Sequence, residues 1–418
     1  MSKMKINGGR VLNGEIAIHG AKNSVLPVLA ATLISNGVCE IHNCPRLSDV
    51  AAAVEILKYL GCRVWSEGSV ITIDSSTASK NDIPDELMRE MRSSISFLGA
   101  IIARMGSAKL SLPGGCELGA RPIDLHLSAL RRMGVSIEDK FGCIDCEVEG
   151  TLHGEHISLS FPSVGATENI MVVASAAKGT TVITNAAREP EISDLARFLN
   201  SCGAKISGYG EGTIVIEGVE KLHGTVHRVI PDRIEAATYM AAAAITGGNV
   251  RLTNISTHDL SPVIPVFEET GCGIITTDST LLLKAPKRPH SVQLVRTMPH
   301  PGFPTDAQAI VMAITTIADG TSLFVENIFE NRFKHTWELC RFGASIKTEG
   351  RIAVVEGVPE LFGTQVNSTD LRGSAAIVVA GLAAEGTTIV SGLHHLDRGY
   401  EDFERGMCSL GADMKRID

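Results

Sequence analysis

Six stretches of the chain are apolar on every face of a helix: "NSVLPVLAATLISNG", "SSISFLGAIIARMG", "TENIMVVASAAKG", "IEAATYMAAAAITGG", "DAQAIVMAITTIADG" and "GSAAIVVAGLAAEG". A helix without a polar face is surrounded by protein, so these six predict the centres of the cores. Each runs into glycine, which reads as a left-handed cap, and a short β-branched strand follows, as in "TTVITN" and "TTIVSG". The next helix is amphipathic; in "SDVAAAVEILKYLG" Ser48 is the predicted N-cap. Two alternating strands complete several units, as in "GTIVIEGVEKLHGTVHRV" and "RIAVVEGVPELFGTQV". The predicted unit is β-α-β-α-β-β.

The amphipathic helices stop on a second set of glycines, Gly61, Gly134, Gly203, Gly271, Gly343 and Gly411, about 70 residues apart. Solenoid repeats run roughly 20–50 residues, so six longer units in 418 residues favour two domains of three units each. The N-terminal "KINGGRVLNGEIAIHG" reads as a hairpin that completes the second half by pairing with strands near the C-terminus. The expected domains are therefore 21–230, and 1–20 together with 231–418.

Composition narrows the partners. With 44% apolar but only 4% aromatic residues, the cores must be built from Ala, Val, Ile and Leu. A formal charge of −9 argues against nucleic acid or an anionic membrane, and leaves room for a local basic pocket for a small anion. No run approaches the ~20 apolar residues of a membrane span, and "MSKMKINGG" has no signal-peptide core. Ten cysteines without paired spacing suit buried, reduced thiols in a cytoplasmic protein. Cys143 and Cys146 form a lone CxxC in a strand-like alternation, without the second pair that a zinc ribbon needs. The histidines show no ligand spacing, so neither a metal nor a cofactor is expected. No GxxxxGK[ST], HExxH or GxSxG occurs, and "GYGEG" at Gly208–Gly212 reads as a hairpin turn.

Charge collects just before the buried helices: Lys22, Arg92, Ser163 with Thr167, Asp232 with Arg233, Asp306, and Arg372. Helix starts leave N–H groups unpaired and carry about half a positive charge. Several of them with Lys and Arg alongside would bind phosphate; singly, each is an ordinary cap or surface cation. Further charged turns follow the short strands at Arg188-Glu189, Glu330-Asn331-Arg332 and Asp397-Arg398. Cys116 stands apart from the other cysteines, in a Gly-Gly loop with Arg121 five residues on.

At this point the motifs converge. "GAKNS", "LPGGCELGARPIDLH", "NAAREPEI", "PDRIE", "FPTDAQA", "FENRF" and "DRGYE" together resemble the UDP-N-acetylglucosamine enolpyruvyl transferases, in order and over essentially the whole chain. That resemblance implies an inside-out α/β barrel of two domains, each with three β-α-β-α-β-β units around buried helices, and the N-terminal strand in the second domain. It implies transfer of the enolpyruvyl group of phosphoenolpyruvate to the 3′-hydroxyl of UDP-N-acetylglucosamine. The reaction passes through a tetrahedral intermediate, releases phosphate, needs no metal and opens bacterial peptidoglycan synthesis.

The resemblance also assigns residues. Lys22, Arg121 and Arg398, with Arg372 nearby, face the phosphate and carboxylate of phosphoenolpyruvate. Cys116 is the general acid for the methylene carbon and the site attacked by fosfomycin; Asp306 is the base for the sugar hydroxyl. Asn23, Arg92, Arg121, Pro122, Ile123, Asp124, Leu125, Ser163, Val164, Gly165 and Ile328 take the nucleotide sugar. Two departures stand out. Family members often carry a lysine shortly before "SVGAT", where this chain has Phe161-Pro162, and Glu117 beside the cysteine would raise the thiol pKa by like charge. A 5-enolpyruvylshikimate-3-phosphate synthase would share the fold without this cysteine loop. A non-catalytic paralogue would bind UDP-N-acetylglucosamine without turnover, and an RNA 3′-phosphate cyclase is disfavoured by the negative charge.

Overall fold

The computed structural model describes the chain except residues 1, 92–93, 112–122, 141 and 418 and the side chain of Lys140. The chain divides into two compact units. One lies within Gly20–Ile230; the other joins Met1–His19 to Pro231–Asp418.

In the Gly20–Ile230 unit the repeat is seen whole in its third copy. His156–Ser158, Thr180–Thr184, Thr213–Glu217 and Lys205–Ser207 form one sheet in that spatial order. The first pair is parallel and the other two antiparallel. A parallel pair needs a crossover, supplied here by helix Val164–Ala176; the Lys205–Ser207 and Thr213–Glu217 pair is closed by the glycine-rich turn the sequence predicts. Strands Asp82–Ile83, Ser107–Ser111, Cys143–Val148 and Val135–Lys140 repeat the pattern. In the first copy the outer strand is Val226–Arg228, parallel to Val38–His42, so the end of this unit closes on its beginning.

The Pro231–Asp418 unit closes in another way. Lys3–Asn7 lies antiparallel between Thr387–Ser391 and Asp413–Ile417, as pairing near the C-terminus requires. Asn13–Ala17, however, runs parallel to Asn249–Thr253 in a different sheet. The N-terminal segment is therefore not a hairpin. Gly8 passes so close to the end of helix Leu371–Ala383 that a Cβ would sit 2.2 Å from the Ala384 carbonyl oxygen. Gly9 N–H donates to the Leu382 carbonyl, 2.8 Å away. The chain crosses that helix end instead of turning back.

Each unit has helices inside and sheets outside. Helices Lys22–Ala31, Ser96–Met105 and Val164–Ala176 are central to one core. Arg233–Thr246, Thr305–Thr315 and Leu371–Ala383 are central to the other. The six glycines after the amphipathic helices all have φ between +88° and +104°, a region that only glycine enters at low cost. The glycines after the buried helices divide. Gly106 and Gly247 are left-handed caps, whereas Val164–Ala176 and Leu371–Ala383 end on extended Ala177 and Ala384. There the positive φ falls on Gly179 and Gly386, at the entry to the next strand. Ser48 is the first residue of its helix and not its cap, which is Leu47. Cys408 is exposed and Cys143 and Cys340 half-buried, against the expected burial. Cys408 sits beside Met407, which turns inward, on the short helix Phe403–Ser409.

Candidate active site

In the Pro231–Asp418 unit charged side chains gather at the starts of the buried helices. Asp232 and Asp370 cap their helices, each accepting two backbone N–H bonds. Asp306 lies in the first turn of Thr305–Thr315, and one arginine meets each of its oxygens. Arg332 Nη2 is 2.9 Å from Oδ1 and Arg372 Nη2 is 3.0 Å from Oδ2. Both arginines are only 2% exposed. Burial alone would raise the Asp306 pKa, but Arg372 and Arg332 outweigh it and hold the carboxyl well below its usual range.

The clamp is supported from behind. Arg332 Nη2 also donates to the Thr305 carbonyl at 3.1 Å. Arg372 Nη1 donates to the Tyr400 hydroxyl at 3.3 Å, itself 2.9 Å from Thr238 Oγ1. Buried Glu326 joins the turn carrying Ile328 to the helix start: Oε1 accepts from the amides of Ile328 and Phe329, and Oε2 from the Thr305 hydroxyl. Arg398 is partly exposed; the neighbouring Asp397 is taken by Arg416, with Oδ2 3.0 Å from Nη1.

In the Gly20–Ile230 unit Lys22 opens its helix as a buried residue, with Nζ 2.8 Å from Asp49 Oδ2. Asn23 beside it is exposed. Ser163 caps the helix it precedes by accepting from Ala166 N–H, and Val164 and Gly165 are half-buried. Ile123 is the N-cap of Asp124–Arg132, with Asp124 exposed and Leu125 half-buried. The next residue, His126, lies so near Gly165 that a Cβ there would be 3.1 Å from its Cε1. The 123–125 and 163–165 candidates are thereby brought together. Phe161, two residues before Ser163, is exposed. Cys116, Arg92, Arg121 and Pro122 lie outside the described residues.

Arg332, Glu326, Tyr400 and Asp49 are additions to the sequence-derived set. Arg332 stood out only as a turn charge, because nothing local links it to a carboxylate 26 residues away. Glu326 leaves one trace, an acid directly after the apolar "SLFV".

Acid and arginine gather at the starts of buried helices, on a repeated fold that the comparisons assign to the carboxyvinyltransferases. Residues 6–407 match the family model described as EPSP synthase (3-phosphoshikimate 1-carboxyvinyltransferase). The enolpyruvyl transferase NikO from Streptomyces tendae superposes with a TM-score of 0.91 at 26% identity, over 100% of this chain and 99% of that one. EPSP synthase from Acinetobacter baumannii shares the fold at a TM-score of 0.76 and 18% identity, with 100% of both chains covered. Two curated relatives cover 100% of both chains. UDP-N-acetylglucosamine 1-carboxyvinyltransferase 2 of Caldanaerobacter subterraneus subsp. tengcongensis is 53% identical, and UDP-N-acetylglucosamine 1-carboxyvinyltransferase of Geobacter metallireducens is 45% identical. The chain belongs to the UDP-N-acetylglucosamine 1-carboxyvinyltransferases.

Proposed function

We propose that this chain transfers the enolpyruvyl group of phosphoenolpyruvate to the 3′-hydroxyl of UDP-N-acetylglucosamine, the first committed step of peptidoglycan synthesis, in the cytoplasm. The observation that carries the reading is the Asp306 carboxylate held between Arg332 and Arg372 at the start of a buried helix. In this reading Lys22, Arg121 and Arg398, with Arg372, bind the phosphate and carboxylate of phosphoenolpyruvate. Asn23, Arg92, the 121–125 segment, Ser163–Gly165 and Ile328 bind the nucleotide sugar.

The steps balance as follows. Cys116 gives its proton to the methylene carbon, the 3′-oxygen bonds to C2, and the hydroxyl proton passes to Asp306. The tetrahedral intermediate then returns a proton from the new methyl group to the Cys116 thiolate and releases phosphate from C2 with the proton held by Asp306, which leaves the enol ether. A carboxylate clamped by two arginines is a weak base. It is adequate here, because the attacking oxygen becomes strongly acidic as its bond to C2 forms. Until then Asp306 orients the hydroxyl, and the arginines keep it ionised.

Phosphate release with both substrates, measured for the native chain and Cys116→Ala, tests the reading. Turnover that needs both substrates and collapses in the variant supports it, as does inactivation of the native chain by fosfomycin. Native turnover unaffected by the substitution moves the proton donor elsewhere. Binding of UDP-N-acetylglucosamine without turnover makes the chain a non-catalytic paralogue.

A further inference from the structure

Asn169 is 1% exposed in the middle of helix Val164–Ala176 and has no place in the chemistry above. Its amide nevertheless touches three segments that carry candidate nucleotide-sugar residues or adjoin them. Oδ1 accepts from Gly99 N–H at 2.6 Å, and Nδ2 lies 3.2 Å from the Ile95 carbonyl. These are the two groups that an uninterrupted first turn would join directly. Asn169 thus bridges the start of helix Ser96–Met105, which follows Arg92. Nδ2 also lies 3.3 Å from the Gly165 carbonyl and 3.0 Å from His126 Nδ1.

These contacts determine a proton position. The Gly99 N–H on one side and two carbonyls on the other fix which end of the amide is oxygen, so the nitrogen faces His126. An amide nitrogen donates and cannot accept. Its two hydrogens are shared among three acceptors, and an Nδ1–H would point at a nitrogen that cannot receive it, so the imidazole proton resides on Nε2. Burial keeps the ring neutral, pushing its pKa down to about 4 against the opposing pull of Asp124. A Cβ at Gly165 would lie 3.3 Å from Nε2, so the N–H sits beside the first turn of Val164–Ala176.

We propose that Asn169 is a positioning residue for nucleotide-sugar binding: it locks His126 in the Nε2–H tautomer and ties it to Gly165 and the start of helix Ser96–Met105. His126 then presents an uncharged donor beside Gly165, suited to an acceptor oxygen of the bound nucleotide sugar. This rests on the function proposed above.

The tautomer is read first, in the full chain without ligand, by 15N NMR of the histidine rings. The expected result is an unprotonated Nδ1 and a protonated Nε2 for His126; a protonated Nδ1 overturns the proposal. In Asn169→Asp a carboxylate oxygen faces the ring and draws the proton to Nδ1. The KM for UDP-N-acetylglucosamine should then rise about tenfold or more, the scale of one lost buried hydrogen bond. The KM for phosphoenolpyruvate should stay within about twofold, since this amide's contacts are with Gly99, Ile95, Gly165 and His126, none of them a phosphoenolpyruvate candidate. A parallel rise in both constants, or none, reduces Asn169 to a purely structural role. Should Asn169→Asp not fold, Asn169→Ala is read by the same two constants with the same outcomes. Failure of the native chain to turn over would refute the transferase reading, whereas the tautomer measurement needs no substrate, so the two failures are distinguishable.

Discussion

Replacing Asp306 by asparagine keeps the side chain's shape and removes the one negative charge between Arg332 and Arg372. Both guanidiniums are nearly inaccessible, so neither can regain water when its partner is lost. Breaking a buried pair costs roughly 3–5 kcal/mol. The lower end applies here, because the Asp306 side chain is 25% exposed and Asp370 and Asp232 still act on Arg332 and Arg372. A loss of about 3 kcal/mol in a unit of this size lowers its melting temperature by roughly 6–12 °C, which calorimetry on the full chain reads directly.

The pH dependence gives the argument a second handle. A carboxyl whose folded pKa is depressed contributes stability that is fully present above its unfolded value, about 3.9, and lost as pH falls through the folded value. The gap between the native chain and Asp306→Asn should therefore be the same at pH 7 and pH 5, and narrow only below about pH 4. A gap under about 2 °C would mean that the clamp is not a buried ion pair. A gap that widens between pH 7 and pH 5 would mean that folding raises the Asp306 pKa instead of lowering it. Either result refutes the reasoning.

Three further outcomes follow from the geometry. Gly165→Ala places a methyl group 3.1 Å from His126 Cε1 and should raise the KM for UDP-N-acetylglucosamine several-fold with little change in melting temperature; an unchanged KM would show that the imidazole gives way without consequence. Gly218→Ala would put its Cβ 1.6 Å from the Ala177 carbonyl oxygen, where neither backbone can yield, so limited proteolysis should cut the Gly20–Ile230 unit far faster than in the native chain. Glu326→Ala removes the acceptor of two amides and the Thr305 hydroxyl, a loss of about 2–3 kcal/mol. It should lower kcat for phosphate release, and native kinetics would sink the claim that Glu326 holds the helix start in place.

What the sequence shows and hides follows from how each feature is encoded. The buried helices are legible because a stretch such as "AATYMAAAAIT" can be stable only when surrounded, and the repeat is legible because six glycines at positive φ recur at near-constant spacing. These signals are local. The N-terminal strands defeated local reading, since "GGRVLNG" looks like a turn whether the chain doubles back or crosses to another sheet. Only the close passage of Gly8 beneath Ala384 decides between them. The candidate site divides in the same way. Asp306, Lys22 and Ser163 announce themselves as polar residues at the mouth of apolar runs, whereas Arg332, Asp49 and Asn169 act through partners distant in sequence. A buried asparagine among valines and alanines was the one available hint of the last.

The clamp on Asp306 bears on why the acid, and not only the cations, belongs at a helix start. Unpaired N–H groups, the helix dipole and two guanidiniums all favour the charged carboxylate, so the arrangement gives up basicity. In the proposed transfer a strong base would gain nothing before attack, because a sugar hydroxyl in the ground state is far less acidic than any carboxylic acid. Once its oxygen bonds to an electron-poor carbon the order reverses, and even a weakened carboxylate takes the proton downhill. What matters until that moment is that the acceptor stays ionised and stays aimed. Two rigid bonds from buried arginines meet both requirements, and a freer, more basic aspartate would meet neither as well.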